Sequence, residues 1–285
     1  MTGKEVRNMS DDCSHECSSC QENCSSREQG IPKEPFNAMS SVKKVIGIVS
    51  GKGGVGKSLV TALTASELKR KGYRVGIMDA DVTGPSIPRM FGITDKASGD
   101  DSGIFPVDSR TGIRLMSVNL LLPDEMAPVI WRGPVISGVV KQFWTDVVWE
   151  DLDYLLIDMP PGTGDVPLTV FQSIPLDGIL VVSSPQELVE MIVEKAAGMA
   201  ELMKVPILGL VENMSYLVCP SCGERINLFG ESKAEEVAKR HSIASSVRLP
   251  LVPEIAEKCD KGMIEDVKEE ELAPIITMLE KLIEH

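Results

Sequence analysis

The sequence predicts an α/β fold of the doubly wound kind, built on a mostly parallel sheet. Two observations carry this. Short, continuous apolar runs alternate along the chain with stretches of helical texture, and a glycine-rich loop joins the first run to the first helix. The runs lie at 45–49, 75–78, 154–157, 178–182 and 207–211. Uninterrupted runs of this length suit strands buried on both faces, as strands of a parallel sheet are. Helices are expected at 57–71, 134–149, 186–203 and 230–240, with a last one at about 270–284. Strand–helix alternation then gives a sheet with helices on both faces. The stretch 92–112, with several Gly, Asp and Ser, is expected to be an irregular insertion or a hairpin. No internal repeat is present.

Composition sets outer limits. The 285 residues are 43% hydrophobic, enough for one sizeable core or at most two small ones. Aromatics make up only 4%, so aliphatic residues and methionine must build the interior. A formal net charge of -13 disfavours nucleic acid and anionic lipid as partners. No apolar stretch approaches the ~20 residues of a membrane span. The first residues lack the apolar centre of a secretory signal. The expected compartment is the cytoplasm, where seven cysteines stay reduced and are better read as metal ligands or reactive thiols.

Two regions are expected. Residues 1–40 are rich in Ser, Glu, Asp and Cys and poor in aliphatics, a composition that stays disordered unless a metal cluster orders it. Residues 41–285 carry the α/β texture.

The loop Gly51-Lys52-Gly53-Gly54-Val55-Gly56-Lys57-Ser58 meets the pattern G-x-x-x-x-G-K-[ST] between a predicted strand and a predicted helix. Glycines there let successive N–H groups point at phosphate oxygens, and the helix N-terminus adds partial positive charge. Lys57 is placed to neutralise the β- and γ-phosphates of ATP, and the Ser58 hydroxyl to ligate Mg²⁺. In an open α/β sheet, ligands gather at the carboxyl ends of strands. Two such ends carry carboxylates. Asp158 takes the role of holding Mg²⁺ through water. Asp81 orients or deprotonates the attacking water, and Asp79 approaches the metal. The turn Pro160-Pro161-Gly162-Thr163-Gly164 is placed to respond to the γ-phosphate. Asn213 ends the predicted strand 207–211, either as a turn residue or as a contact to adenine, whose edge suits an amide.

The cysteines form two groups. Cys219-Pro220-Ser221-Cys222 is a single CxxC pair with no second pair after it and no ligand spacing around His241, so one chain supplies half a four-thiolate site. A symmetric dimer would supply the other half. Four thiolates suit a [4Fe–4S] cluster or Zn²⁺. Cys13, Cys17, Cys20 and Cys24 lie within twelve residues, a compact spacing like that of cluster-wrapping loops, and His15 inside it is an alternative ligand. Their first three match the C-x3-C-x2-C of radical-SAM enzymes, but they precede a P-loop domain and a fourth cysteine follows. Cys259 stands alone and is read as structural.

The loop with its additional Lys52 resembles the deviant Walker A loop of the MinD/ParA-like ATPases. That resemblance implies a lysine reaching across a dimer interface to the partner's nucleotide. Read alone, Lys52 is equally a solvated loop lysine. Further motifs follow in one order: Asp79-Ala80-Asp81-Val82-Thr83-Gly84-Pro85-Ser86, Trp131-Arg132-Gly133-Pro134, Asp158 to Asp165, Glu212-Asn213-Met214-Ser215 and the CPxC. From about residue 43 to the C-terminus this set is similar to the Mrp/ApbC-type iron–sulfur cluster carrier ATPases. The resemblance implies a P-loop NTPase fold of the MinD/nitrogenase-reductase-like class and a homodimer. It implies ATP hydrolysis, with Lys52, Lys57 and Asp81 as catalytic residues. It also implies a [4Fe–4S] cluster bridged through Cys219 and Cys222 and passed to apo-proteins, with upstream assembly factors as further partners. The N-terminal cysteines resemble the cytosolic scaffold branch, which implies a second [4Fe–4S] cluster, although their spacing is more compact than in eukaryotic members. Three rivals remain. A MinD/ParA-type positioning ATPase needs a basic amphipathic C-terminal helix or a positive surface, and neither is evident. A zinc-stabilised ATPase would use the cysteines structurally. A nitrogenase-reductase-like donor would draw its cluster cysteines from separate segments.

Overall fold

The computed structural model describes residues 33–284 except 83, 85, 123–132, 163 and 186–188. Cys13, Cys17, Cys20 and Cys24, with Thr83, Pro85, Trp131, Arg132 and Thr163 of the motifs, lie outside the described residues.

In chain order the elements are β1 (Ser41–Ser50), α1 (Lys57–Arg70), β2 (Val75–Asp79), α2 (Ile87–Met90), β3 (Ser98–Asp100), β4 (Gly103–Phe105), β5 (Val107–Asp108) and β6 (Arg114–Met116). There follow α3 (Gly133–Thr145), β7 (Asp151–Asp158), α4 (Asp165–Ser173), β8 (Gly178–Ser183), α5 (Val189–Met203) and β9 (Ile207–Val218). The chain ends in β10 (Arg225–Ile226), α6 (Ala234–Arg240), β11 (Ser245–Pro250), α7 (Pro253–Asp260) and α8 (Ala273–Glu284).

The main sheet runs β10-β9-β8-β1-β7-β2-β6-β5, with β11 also on β9. Its inner pairings are parallel, and the short β5 and β10 pair antiparallel at the margins. Side-chain alternation along each strand builds a core on each face. Val45 and Val49 of β1 and Leu155 and Ile157 of β7 pack with Phe143, Val170 and Val193 of α3, α4 and α5. Ile46 and Ile48, with Tyr154 and Leu156, pack on the other face with Leu63 of α1 and Ile275 and Leu279 of α8. The apolar face of α8 is therefore spent on the sheet, and is not displayed as a lipid-binding helix would display it. Among the described residues no helix is long and apolar enough to cross a membrane.

The five expected strands and the five expected helices are present, with shifted ends. The stretch 92–112 contains the β3–β4 hairpin and β5. α3 stops at Thr145 rather than 149, and Val147 bridges instead to Ile104. Among the additional elements, β6, α4 and β11 lack strong local patterns. β6 is three residues long, α4 carries Pro167 in its first turn, and β11 has the mixed sequence SSVRLP. The largest boundary difference is β9. It does not end at 211 but continues to Val218, so Asn213 lies inside a strand rather than at its end.

The first described residues already pack on this domain. Phe36 stacks against Trp144 at 4.1 Å, and Lys33 donates to the carbonyls of Phe171 and Ile174 at the end of α4. A lysine there meets the negative end of the helix.

Candidate functional site

β1 lies between β7 and β8, and the loop 51–56 leaves its carboxyl end. Gly54 and Gly56 take φ of 84° and 83°, the left-handed region that favours glycine. At Gly56 space is limiting as well: a Cβ there would stand 2.1 Å from Asn213 Nδ2. Gly56 caps α1 without a side-chain bond, and the first turn of α1 has no acidic residue. The positive end of the helix thus faces the loop with no acidic residue of its own first turn, an arrangement that suits phosphate.

Lys57 is buried, with 6% exposure. Its Nζ lies 2.8 Å from Asp158 Oδ1 and 3.9 Å from Asp81 Oδ2. Asp158 is fully buried and also accepts from Ser58 Oγ at 2.6 Å and Thr61 Oγ1 at 2.8 Å. Asp79 is paired with Asp158 in register on the adjacent strand. It accepts from Ser117 Oγ at 3.1 Å and from the N–H of Asp81 at 3.1 Å. Burial, and then the neighbouring Asp158 charge, push the Asp79 carboxyl well above the usual carboxylate range. The structure therefore brings Lys57, Ser58, Asp81 and Asp158 into one cluster, as the sequence expects, with Asp79 beneath it. Lys52 is exposed. Gly162 of the proline-rich turn donates its N–H to the Ser50 carbonyl at 2.8 Å, tying that turn to the loop. Asn213 donates to the Val55 carbonyl at 2.9 Å and is 3% exposed, so its amide is engaged with the phosphate loop itself.

Sequence reasoning missed Thr61 and Ser117. Thr61 follows Lys57 by four positions on α1, the spacing of one helix face, and that was the available signal. Ser117 reaches Asp79 only because β6 lies beside β2, which local sequence does not reveal.

The cysteine pair sits at the far end of β9, in the turn to β10. Cys219 N donates to the Glu224 carbonyl and Gly223 N to the Cys219 carbonyl, both at 2.9 Å. The N–H groups of Cys222 and then Ser221 aim at the Cys219 sulfur and lower its pKa. Cys219 is half-buried and Cys222 exposed. Among the described residues no group of three or more His, Cys, Asp or Glu side chains could hold a metal, so no further ligand gathers at this pair there. Cys259 is half-buried, and burial raises its pKa, as befits an inert thiol.

A parallel sheet with a glycine-rich loop at the end of its central strand, a buried lysine and two strand-end carboxylates defines a P-loop NTPase. Residues 41–285 match the family described as ParA, NUBPL iron-transfer P-loop NTPase, and the chain belongs to that family. It is an ATPase of the iron–sulfur cluster carrier group. The iron–sulfur cluster carrier protein of Clostridium perfringens is 43% identical over 266 residues, covering 88% of this chain and 93% of the relative. That of Methanocaldococcus jannaschii is 48% identical over 227 residues, covering 79% and 78%. A nucleotide-binding protein of Archaeoglobus fulgidus, solved in complex with ADP, is 46% identical with a TM-score of 0.73, covering 81% of this chain and 90% of that one. The MinD cell division protein of Aquifex aeolicus, at 21% identity, TM-score 0.54 and 85% and 97% coverage, shares the fold.

Proposed function

We propose that the chain acts as a homodimer that holds a [4Fe–4S] cluster between the Cys219/Cys222 pairs of two copies and delivers it to apo-proteins under the control of ATP hydrolysis. The observation that carries this reading is the half-site. Two thiols, one with its thiolate favoured by backbone N–H groups, stand at a turn with no further ligand near them among the described residues. A second copy completes the set.

ATP is bound by the N–H groups of 51–56, with Lys57 on its terminal phosphates. The Ser58 hydroxyl and the Asp158 carboxylate are hard oxygen donors 2.6 Å apart, a set that suits Mg²⁺. When bound there, Mg²⁺ supplies positive charge to the β- and γ-phosphates. Lys57, already beside Asp158 and Asp81, needs only a small shift to exchange carboxylate for phosphate. Asp81, at the rim of the cluster, orients the attacking water. Exposed Lys52 reaches the partner's nucleotide, so that ATP favours the closed dimer and hydrolysis loosens it. Asn213 lines the nucleotide site from beneath the loop. The N-terminal cysteines hold a second [4Fe–4S] cluster. The partners are a second copy, apo iron–sulfur proteins and upstream assembly factors, without nucleic acid or membrane, and the compartment is the cytoplasm.

The test is transfer from the anaerobically reconstituted full chain to an apo-acceptor, read by recovery of acceptor activity. A Cys219→Ser/Cys222→Ser variant is expected to transfer at background rate while retaining ATPase activity. Normal transfer by that variant contradicts the reading. A colourless, zinc-loaded chain would support a structural role for the thiols instead.

A further inference from the structure

β9 connects the two sites. Asn213 meets the phosphate loop, and six residues later Cys219 opens the metal turn. Between these points the strand is irregular. Arg248 of β11 pairs with Glu212 and Pro250 with Tyr216, so three residues of β9 stand opposite one of β11. Met214, in the middle, takes φ of 55°, a left-handed value uncommon for a residue with a side chain. Such a bulge bends a strand and re-aims its side chains. Here it places Asn213 under Gly56 so closely that a Cβ on Gly56 would overlap the amide.

One side chain spans the bulge and the segment just beyond β10. Arg248 Nε donates to Ser215 Oγ at 2.7 Å and lies 3.7 Å from Glu212 Oε1. Ser215 in turn donates to Glu212 Oε1 at 2.6 Å. The other end of the guanidinium, Nη2, donates at 3.3 Å to Asn227 Oδ1, just beyond β10. The same group lies 5.7 Å from the centre of the Tyr216 ring, and Arg225 of β10 covers that ring at 4.6 Å. Glu212 is fully buried, and its second oxygen, Oε2, has no hydrogen-bond partner. A carboxylate held in this way is costly to leave half-satisfied, so its environment has a reason to rearrange.

We propose that Arg248 is a positioning residue that couples the nucleotide state of the phosphate loop to the geometry of the Cys219/Cys222 turn, through the Glu212–Ser215 bulge on one side and Asn227 and Tyr216 on the other. The proposal rests on the reading that ATP occupies the loop and that the cysteine pair holds the cargo. Nucleotide that engages Asn213 competes for the amide now given to Val55, and the bulge shifts. Arg248, bonded at both ends, carries the shift to the hairpin. The rigid planar fork of arginine is what allows one side chain to hold both ends; lysine has the charge without the fork.

The experiment uses the reduced, cluster-free full chain, so it reads the coupling separately from cluster transfer. Alkylation of Cys219 and Cys222 by iodoacetamide is followed by mass spectrometry of the peptide that carries them, with and without Mg-ATPγS. For the wild type the nucleotide is expected to change the rate about fivefold or more, the low end of ordinary coupling between sites. For Arg248→Gln the ratio falls to about one while KM for ATP stays within about twofold of wild type, since mutations along a coupling route act on the coupling rather than on either site. Arg248→Lys is the control for charge and folding. It keeps the thermal midpoint and still loses most of the ratio. A purely structural role would lower the midpoint and leave the ratio intact. A wild-type rate indifferent to nucleotide, or a full ratio in both variants, overturns the proposal. If the wild type shows the coupling yet passes no cluster to an acceptor, the carrier reading fails and the coupling stands.

Discussion

Replacing Lys57 with Met is expected to destabilise the nucleotide-free protein as well as abolish its ATPase activity. Lys57 is 6% exposed and lies 2.8 Å from an Asp158 that is fully buried, with Asp79 buried on the adjacent strand. Breaking a buried ion pair by removing one partner costs about 3–5 kcal/mol, because the other charge remains desolvated. Asp158 keeps its bonds from Ser58 and Thr61, which places the expected loss at the lower end, about 3 kcal/mol. For a domain of this size that corresponds to a fall in thermal midpoint of roughly 6–12 °C. Urea and thermal unfolding of metal-free protein at one scan rate and near-neutral pH measure it. The double variant Lys57→Met/Asp158→Asn, which removes the orphaned charge, is expected to recover most of the loss. A Lys57→Met midpoint within 2 °C of wild type (about 0.5–1 kcal/mol), or no recovery in the double variant, refutes the reasoning.

Three further outcomes follow from the same geometry. Gly56→Ala meets both a left-handed φ, costing about 1–2 kcal/mol, and the Asn213 amide, costing about 1–3 kcal/mol in overpacking, so both stability and ATP affinity are expected to fall. Wild-type binding in a calorimetric titration would show that the loop and β9 are not in contact. Asp79→Asn is expected to raise the thermal midpoint near neutral pH. The raised pKa of Asp79 means its ionised form burdens the folded state, absent below the ordinary carboxylate value and growing as pH rises from there to the raised value. The advantage of Asn should therefore shrink as pH falls into the carboxylate range, and a benefit that grows with acidity would contradict the assignment. Thr61→Val removes one donor from buried Asp158, and its ATPase activity is expected to need more Mg²⁺, with a stability loss of about 1–3 kcal/mol. An unchanged Mg²⁺ requirement would make Thr61 a packing residue only.

The cluster of Lys57, Ser58, Asp81 and Asp158 was legible in the sequence because Lys57 and Ser58 close a glycine-rich pattern and the two carboxylates follow apolar runs, and in this topology those strand ends converge. What stayed hidden depends on which strands are neighbours. Ser117 reaches Asp79 across β6 and β2, and Arg248 reaches Ser215 across β11 and β9, contacts between residues far apart in the chain. The end of β9 was misjudged for a related reason. The apolar run stops at Val211, and the sequence then turns polar with Glu212 and Asn213, yet both are buried because the bulge turns them toward Arg248 and the phosphate loop. The CxxC announced a half-site, but the backbone donors that favour the Cys219 thiolate appear only once the turn is folded.

The account turns on whether two copies share one cluster through Cys219 and Cys222. Native mass spectrometry of the anaerobically reconstituted full chain, wild type beside Cys219→Ser/Cys222→Ser, measures this directly. The account predicts a wild-type dimer that carries one [4Fe–4S] cluster more than the variant does. Equal iron and sulfide in the two proteins, or a wild-type cluster carried by a monomer, would contradict it.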